Sequence, residues 1–465
     1  MGKYNKVTAD IVAQLELIVG KENVFTNEEK LQECSHDEVT DPHYIYAPEV
    51  VVAPITKEEI AEIVKLANRE LIPVVPRGAG TGMACAAVPI YGGIVLTTDR
   101  MNRILKVDAD SMYIEVEPGV RTSLVQEAAI AQGLYYPGDP CSGDSCYIGG
   151  NVATNAGGNK AVKYGTTRHQ VYSLEVVTPT GEITTLGGRL SKCSTGYAME
   201  QLIIGSEGTL AIVTKMVLKL VPLPKTSIDL LLVYPDISSA IATVSKIIKA
   251  GVQPTCLEFV DNASLKSVEA FFNEPVPFSD KGFYLIVQIE AANEDELDNK
   301  VALVDEISTE NGAIEALVAD EKIWKIRKNV AEAYRHECIV QSNEDIVVPV
   351  DQLPIVMDMI VEICERHSAI TRIVAHAGDG NMHVSIMQGS ISDEQWEEKL
   401  NAIQDEIYTK VCPLGAKLSG EHGIGFKKKP LMEKFTDPVE LNMMRAIKKA
   451  LDPNNILNPG KLFDI

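Results

Sequence analysis

A chain of 465 residues with 45% apolar and 23% charged residues has the length for two domains and the composition of a globular protein whose core needs no covalent staples. Its formal net charge of −22 argues against non-specific adhesion to nucleic acid or an anionic membrane, no apolar run approaches the length of a membrane span, and the N-terminus lacks the apolar stretch of a secretory signal. The nine cysteines show no C-x-x-C spacing, which speaks against an iron–sulfur cluster and, with their odd number, suits reduced thiols in a cytoplasmic protein.

Ile11, Leu15, Leu17 and Ile18 recur at helical spacing, so residues 1–45 are expected to form an N-terminal helical segment. Val50–Ala53 is a short β-branched run. Lys57–Leu71 reads as an amphipathic helix capped by Thr56, and Ile72–Pro76 returns to strand. That strand runs directly into Arg77-Gly78-Ala79-Gly80-Thr81-Gly82, with three glycines in six residues. Glycine permits positive φ and lets consecutive backbone N–H groups close on an anion. The spacing is neither that of a P-loop nor that of a dinucleotide-binding βαβ turn, and taken alone the segment is equally consistent with a tight turn.

Short strands are predicted over Ile94–Thr97, Ile104–Asp108 and Met112–Val116, then a turn and helix over Gly119–Gly133. Tyr135–Asn159 is too rich in Gly, Pro, Asn and Ser to be regular throughout. Within it Ile148–Gly158 carries four glycines anchored by Ile148, Val152 and Ala153, a wall of low bulk and many backbone donors suited to a large planar ligand. Leu174–Thr178 and Glu182–Thr185 flank Pro179-Thr180-Gly181 as a hairpin, and Gly205–Leu210 is a third glycine-rich segment. Three such segments are hard to explain as turns alone. Ala211–Leu220 is β-rich and ends at Val221-Pro222-Leu223-Pro224, the expected boundary between a domain over 46–222 and one over 223–465.

Beyond it, Ile228–Tyr234, Ile237–Ala250, Gln253–Val260, Gly282–Glu290 and Glu294–Asn311 alternate strand and helix, an α+β pattern with helices on one face of a sheet. Trp324-Lys325-Ile326-Arg327 opens a helix reaching Tyr334. Arg327 either meets solvent, the commoner fate, or clamps a carboxylate through two parallel hydrogen bonds. Arg372–His376 and Met382–Met387 are apolar strands, and Asp379-Gly380 between them favours a two-residue hairpin loop. That register sets His376 opposite His383 with Cβ atoms about 5 Å apart, close enough to share an ion, though two ordinary sheet histidines are an equal alternative. Leu418–Gly425 places Glu421 beside His422 in a glycine-flanked loop. The loop is either simply solvated or completes a set of two histidines and one carboxylate, which suits Zn2+ or Fe2+ with open coordination positions.

Arg77–Gly82, Pro137–Val171 and Gly205–Thr214 resemble the FAD-binding domain of the vanillyl-alcohol oxidase and p-cresol methylhydroxylase superfamily. Tyr164-Gly165-Thr166-Thr167-Arg168, together with Leu451-Asp452-Pro453 and Asn458-Pro459-Gly460-Lys461, narrows the resemblance to the branch of the glycolate oxidase flavin subunit, D-lactate dehydrogenase and D-2-hydroxyglutarate dehydrogenase. The resemblance implies an α+β fold. A two-subdomain FAD-binding domain of p-cresol methylhydroxylase type is followed by an α+β substrate domain with an antiparallel sheet and a C-terminal helical segment returning to the flavin. It implies that Pro76, Arg77, Gly78, Ala79, Gly80, Thr81 and Gly82 hold the FAD pyrophosphate. Pro137, Gly138, Asp139, Gly149, Gly150, Thr154, Asn155, Gly157, Gly158, Tyr164 and Gly165 would line the cofactor, joined by Glu207, Gly208, Ile212 and Asn458. Thr81 stands where some superfamily members bond FAD through histidine, so the cofactor is expected to be non-covalent. One departure is Met83-Ala84-Cys85-Ala86-Ala87, where the family has further Ser and Gly.

By the same resemblance His376, His383 and Glu421 are the ligands of one divalent ion, Fe2+ or Zn2+ with Mn2+ as a further option, His422 is the general base, and Arg327 binds the substrate carboxylate. Ala331 stands where relatives acting on dicarboxylic acids carry a polar group, which favours a short monocarboxylic acid. The implied reaction is oxidation of a small 2-hydroxy acid, D-lactate first and glycolate next, with hydride to flavin N5. Electrons then leave to a separate protein, an electron-transferring flavoprotein or an iron–sulfur subunit. Two alternatives stand beside this. A non-redox flavoenzyme of the superfamily would need a lipid tunnel and usually a longer chain, and a non-catalytic electron-transfer subunit would not need the ligand set and base.

Overall fold

A computed structural model describes residues 4–39 and 41–465; the first three residues of the N-terminal segment and Thr40 lie outside it. The chain divides into two compact units, each discontinuous in sequence: Met1–Gly157, Gly165–Leu223 and Glu421–Ile465 make one, Gly158–Tyr164 and Pro224–Gly420 the other.

In the first unit the helix Lys57–Glu70 begins at Thr56 as expected. Thr56 Oγ1 accepts from Glu59 N at 3.2 Å, and Glu59 Oε2 accepts from Thr56 N at 3.3 Å, a reciprocal capping box. Its stripe of Ile60, Ile63, Val64 and Ala67 is buried, each larger side chain contributing about 1.5–3 kcal/mol relative to exposure. The stripe belongs to one core with a four-stranded sheet in the order Val24–Phe25, Val50–Val52, Ile94–Thr97 and Val74–Arg77, the last three parallel. Strands buried on both faces read as continuous Val and Ile runs, which is why Ile94–Thr97 was legible to the residue. A second sheet of five antiparallel strands contains the expected hairpin, Val171–Val177 against Ile183–Gly187, with Gly181 at φ 87°. Within the glycine-rich stretch, Ile148–Thr154 is helical rather than a loop. Ile148 and Val152 lie one turn apart and both bury, and Asn155 at φ 53° ends the helix in the left-handed region.

The second unit is built on seven antiparallel strands in the order Glu315–Val318, Thr226–Tyr234, Phe283–Ala291, Cys256–Val260, Ile370–His376, Asn381–Met387 and Gln341–Val347. Helices cover both faces, not one. Asn262–Phe272, Lys322–Lys328 and Val330–Glu337 share a core with Val260, Tyr284, Ile286 and Val374. Phe259, Leu285, Val287 and Ile373 alternate to the opposite face. They are buried as well, and helices Ile237–Lys249, Glu294–Glu310 and Leu353–Arg366 also pack on these strands. The helix expected from Trp324 to Tyr334 is broken at Asn329, whose Nδ2 donates to Lys325 O at 2.8 Å; a side-chain amide competes with the helical ladder for that carbonyl.

Candidate functional site

The three glycine segments meet at the end of strand Val74–Arg77. A Cβ on Gly78 would lie 3.7 Å from Gly150 N, and one on Gly208 would lie 3.3 Å from Pro76 Cγ. Gly80 takes φ 78°. Among the described residues no carbonyl or side chain accepts from the N–H of Ala79, Gly80, Thr81 or Gly82, and Ser206 Oγ is buried without a partner. Consecutive unclaimed N–H groups form a nest for phosphate oxygens, so the residues present fit a dinucleotide's pyrophosphate.

Several of the residues expected at the FAD are also held by contacts within the protein. Arg77 turns its guanidinium under the loop, donating to His36 O at 2.8 Å and Glu33 O at 3.2 Å. A Cβ on Gly80 would sit 2.1 Å from Arg77 Nη2, so Arg77 braces the loop from below. Ile212 buries its side chain in the core. Tyr164 donates its hydroxyl to Glu290 Oε2 at 2.6 Å, and Gly165 takes φ 76°. Asn155 Oδ1 accepts from Arg168 N and Thr166 Oγ1, both at 3.0 Å. Gln126 Nε2 donates to Gly138 O at 2.7 Å, holding the Pro137–Asp139 segment. Asn458 Nδ2 donates to Glu207 O at 2.7 Å and Ala86 O at 2.9 Å, tying the C-terminal segment to the third glycine loop. In the departure segment Cys85 sits at φ 61° and donates its N–H to Asp37 Oδ2 at 2.7 Å; Asp37 was not singled out by the sequence.

Glu207, expected at the cofactor, accepts through its carboxylate from Ile424 N at 2.6 Å and Gly425 N at 2.7 Å and so fastens the backbone just after His422. Burial pushes its carboxyl up to about 7. The folded state therefore holds this proton more tightly than the unfolded chain, and the associated stability is present below the ordinary 4.5 and lost as pH rises through about 7. The full displacement corresponds to about 3 kcal/mol. The urea midpoint of the wild-type protein should thus fall between pH 5 and 7 (roughly the window in which the two protonation states exchange), and Glu207→Gln should flatten that slope. An unchanged slope in the variant would assign the pH dependence elsewhere.

The second unit carries the histidine pair. The hairpin loop has four residues, Ala377–Gly380, not two: His376 pairs with Asn381 and His383 with Val374. His376 O accepts from both Asp379 N and Gly380 N, closing the turn, and Gly380 takes φ 83°. The histidines are diagonal rather than opposite, but a two-residue offset keeps both on one face. Their Nε2 atoms stand 3.2 Å apart. Two nitrogens bound to one ion at about 2.0–2.1 Å and a tetrahedral angle stand about 3.3 Å apart, so this spacing fits a shared ion.

Behind each imidazole is a buried carboxylate. Glu258 Oε1 lies 2.7 Å from His376 Nδ1, and Asp345 Oδ1 lies 3.9 Å from His383 Nδ1. Asp345 is held by Ser419 Oγ at 2.5 Å and Gly420 N at 3.0 Å, both donating to Oδ2. Glu258, at hydrogen-bond distance from His376 Nδ1, keeps the proton there and leaves the Nε2 lone pair for a ligand role; Asp345 at 3.9 Å lies beyond that distance from His383 Nδ1. Arg327 is buried, 6% exposed at its side chain, and paired with Glu258 at 2.8 Å; the solvent-facing alternative is excluded. Ala331 is exposed. The sequence reading missed Glu258 and Asp345; a charged residue inside the otherwise apolar run Cys256–Val260 was the available signal for Glu258, and none marks Asp345 within the polar strand Gln341–Val347. Glu421 and His422 belong to the first unit, whereas His376, His383 and Arg327 belong to the second. Glu421 Oε1 lies 4.0 Å from His422 Nε2, and a Cβ on Gly157 would come 2.5 Å from Glu421 Oε2.

Residues 48–187 match the model of the FAD binding domain, and residues 223–462 match that of the FAD linked oxidases, C-terminal domain. A D-lactate dehydrogenase of Anaerostipes hadrus is 36% identical across 99% of this chain and 98% of its own length. The glycolate oxidase subunit GlcD of Bacillus subtilis is 35% identical across 98% and 97%, and a D-2-hydroxyglutarate dehydrogenase of Stutzerimonas stutzeri is 32% identical across 97% and 98%. Among solved structures, p-cresol methylhydroxylase with substrate bound superposes at a TM-score of 0.78 with 17% identity, covering 97% of this chain and 96% of that one. That likeness is one of fold; together with the two family matches it bears out the two-domain FAD-binding architecture. Among the described residues no helix is long and apolar enough to cross a membrane.

Proposed function

The chain belongs to the FAD-linked oxidases, and from that membership we propose that it is a dehydrogenase of a small 2-hydroxy acid, D-lactate first and glycolate next. The observation that carries the reading is the His376–His383 pair, with Nε2 atoms 3.2 Å apart and a buried carboxylate behind each ring. The pair can supply two ligands for one divalent ion, Fe2+, Zn2+ or Mn2+. Glu421 is assigned as the third ligand and His422 as the base on the sequence pattern.

When bound, FAD supplies the hydride acceptor and the ion supplies a Lewis acid. The protein's part is to bind, orient and move a proton. Arg327, held by Glu258 through Nε and Nη2, presents its Nη1/Nη2 edge to the substrate carboxylate and fixes the α-carbon in place. His422 takes the hydroxyl proton, a role that requires the neutral imidazole. Relatives named for lactate, glycolate and hydroxyglutarate support the substrate class, and Ala331, at a position where relatives acting on dicarboxylic acids carry a polar group, favours a short acid. Electrons pass to a separate redox protein, an electron-transferring flavoprotein or an iron–sulfur subunit, and the acidic surface and thiol content suit the cytoplasm.

The test is anaerobic. D-lactate, L-lactate, glycolate and D-2-hydroxyglutarate are added separately to purified, metal-assayed protein, and flavin absorbance is followed near about 450 nm. Bleaching by D-lactate or glycolate is expected. No bleaching by any acid, with FAD and metal both bound, would overturn the reading and favour a non-redox or electron-transfer role.

A further inference from the structure

Glu258 occupies the middle of strand Cys256–Val260, whose five residues are all buried. Antiparallel pairing sets it directly opposite His376 on the same sheet face, and Arg327 reaches it from the last turn of helix Lys322–Lys328. Its two oxygens are divided between them. Oε1 lies 2.7 Å from His376 Nδ1, while Oε2 accepts from Arg327 Nε at 3.0 Å and lies 2.8 Å from Nη2.

We propose that Glu258 is a positioning residue that couples the ion held by His376 and His383 to the substrate carboxylate held by Arg327. The inference rests on the roles proposed above for those three residues. One rigid, dry carboxylate sets the Nδ1–H tautomer of a metal ligand with one oxygen and the plane of the guanidinium with the other. A shift of either partner is thereby felt by the other, with no contact between them needed.

Isosteric glutamine cannot do both. Its amide offers one acceptor oxygen and one donor NH2. If the NH2 faces His376, the imidazole proton is driven to Nε2, the atom needed for the ion. If it faces Arg327, donor opposes donor and the clamp turns away. Outer partners of metal-bound histidines typically contribute 10–100-fold in affinity.

The experiment compares Glu258→Gln with wild type as FAD-loaded protein stripped of metal with a chelator. Zn2+ affinity is read by competition with a colorimetric chelator, and KM for D-lactate is read with Zn2+ saturating. The expected result is a Zn2+ affinity lowered by about 10–100-fold, or a KM raised by a similar factor if the amide takes the other orientation, with FAD content retained. A purely structural Glu258 would change thermal stability and FAD content but neither quantity. Both values within about threefold of wild type, below the usual range for such partners, would overturn the proposal. If Glu258→Gln does not retain FAD, Glu258→Asp replaces it; withdrawing the charge by one methylene should produce the same loss, and wild-type values in that variant would overturn the proposal equally. His376→Ala runs alongside: if it keeps wild-type Zn2+ affinity, the metal-site reading itself fails, whereas loss in His376→Ala with no change in Glu258→Gln rejects only the coupling.

Discussion

Replacing His422 with alanine is expected to slow flavin reduction by D-lactate by about 10²–10⁴-fold, the usual contribution of a general base, while FAD stays bound. The expectation follows from what a base does. It acts on the substrate hydroxyl during the chemical step, so its loss appears in the rate of reduction under anaerobic single turnover, not in cofactor content. The side chain is largely but not wholly enclosed, 18% exposed. Its loop is held by Glu207 through the N–H groups of Ile424 and Gly425, so truncating the imidazole leaves the backbone anchored. Zn2+ affinity measured in the same variant separates base from ligand, because a ligand's loss would weaken both. A slowing of less than about tenfold would fall outside the range for such a base and remove His422 from the chemistry.

Asp452→Ala is expected to destabilise the FAD-binding unit by about 3–5 kcal/mol, the cost of leaving a buried partner charge uncompensated. The partner is Lys448, 4% exposed at its side chain, on helix Pro438–Leu451. Its Nζ donates to Thr209 O and Leu457 O, both at 2.8 Å, as well as to Asp452. Asp452 also accepts from Ile456 N at 3.1 Å and Leu457 N at 2.9 Å. These contacts fix a segment that lies along strand Val74–Arg77, where Val74 N donates to Ile456 O and Asn458 N to Val74 O. The loss should therefore reach the phosphate loop at the end of that strand and show as FAD release at lower urea. The double variant Lys448→Met/Asp452→Leu should recover part of the loss, since apolar replacement of a buried pair is often tolerated. If the single variant unfolds within about 1 kcal/mol of wild type, a typical value for an ordinary substitution, the pair is not a keystone of the unit.

What could be read in the sequence was the part governed by local chemistry. The capped helix after Thr56, the Val and Ile strands and the three glycine segments each announce themselves over a few residues, and the glycine segments do converge. What escaped depends on partners distant in sequence. Arg77 stands at the start of the glycine loop, but nothing nearby in the sequence shows that its guanidinium satisfies two carbonyls more than forty residues upstream. Asp379-Gly380 favours a two-residue turn in isolation; the chain instead uses four, and Gly380 O accepts from the distant Val348 N at 3.0 Å. Glu258 is a lone charge in an apolar run, which marks it as unusual but names no role. Its meaning appears only when strand pairing brings His376 opposite and a helix brings Arg327 down.

The discontinuity of the two units also has a consequence for biosynthesis. During elongation, residues 224–420 are complete and able to collapse around their seven-stranded sheet while strand Val74–Arg77 still waits for the segment containing Leu457 that will lie along it. The nascent first unit thus spends most of translation with a parallel edge unpaired, and domains generally fold as units as they emerge. A ribosome stalled or a gene truncated just before Glu421 would release a chain whose later-made half is finished and whose earlier-made half is not, an inversion of the usual order in which the N-terminal part of a protein is the first to be safe from aggregation.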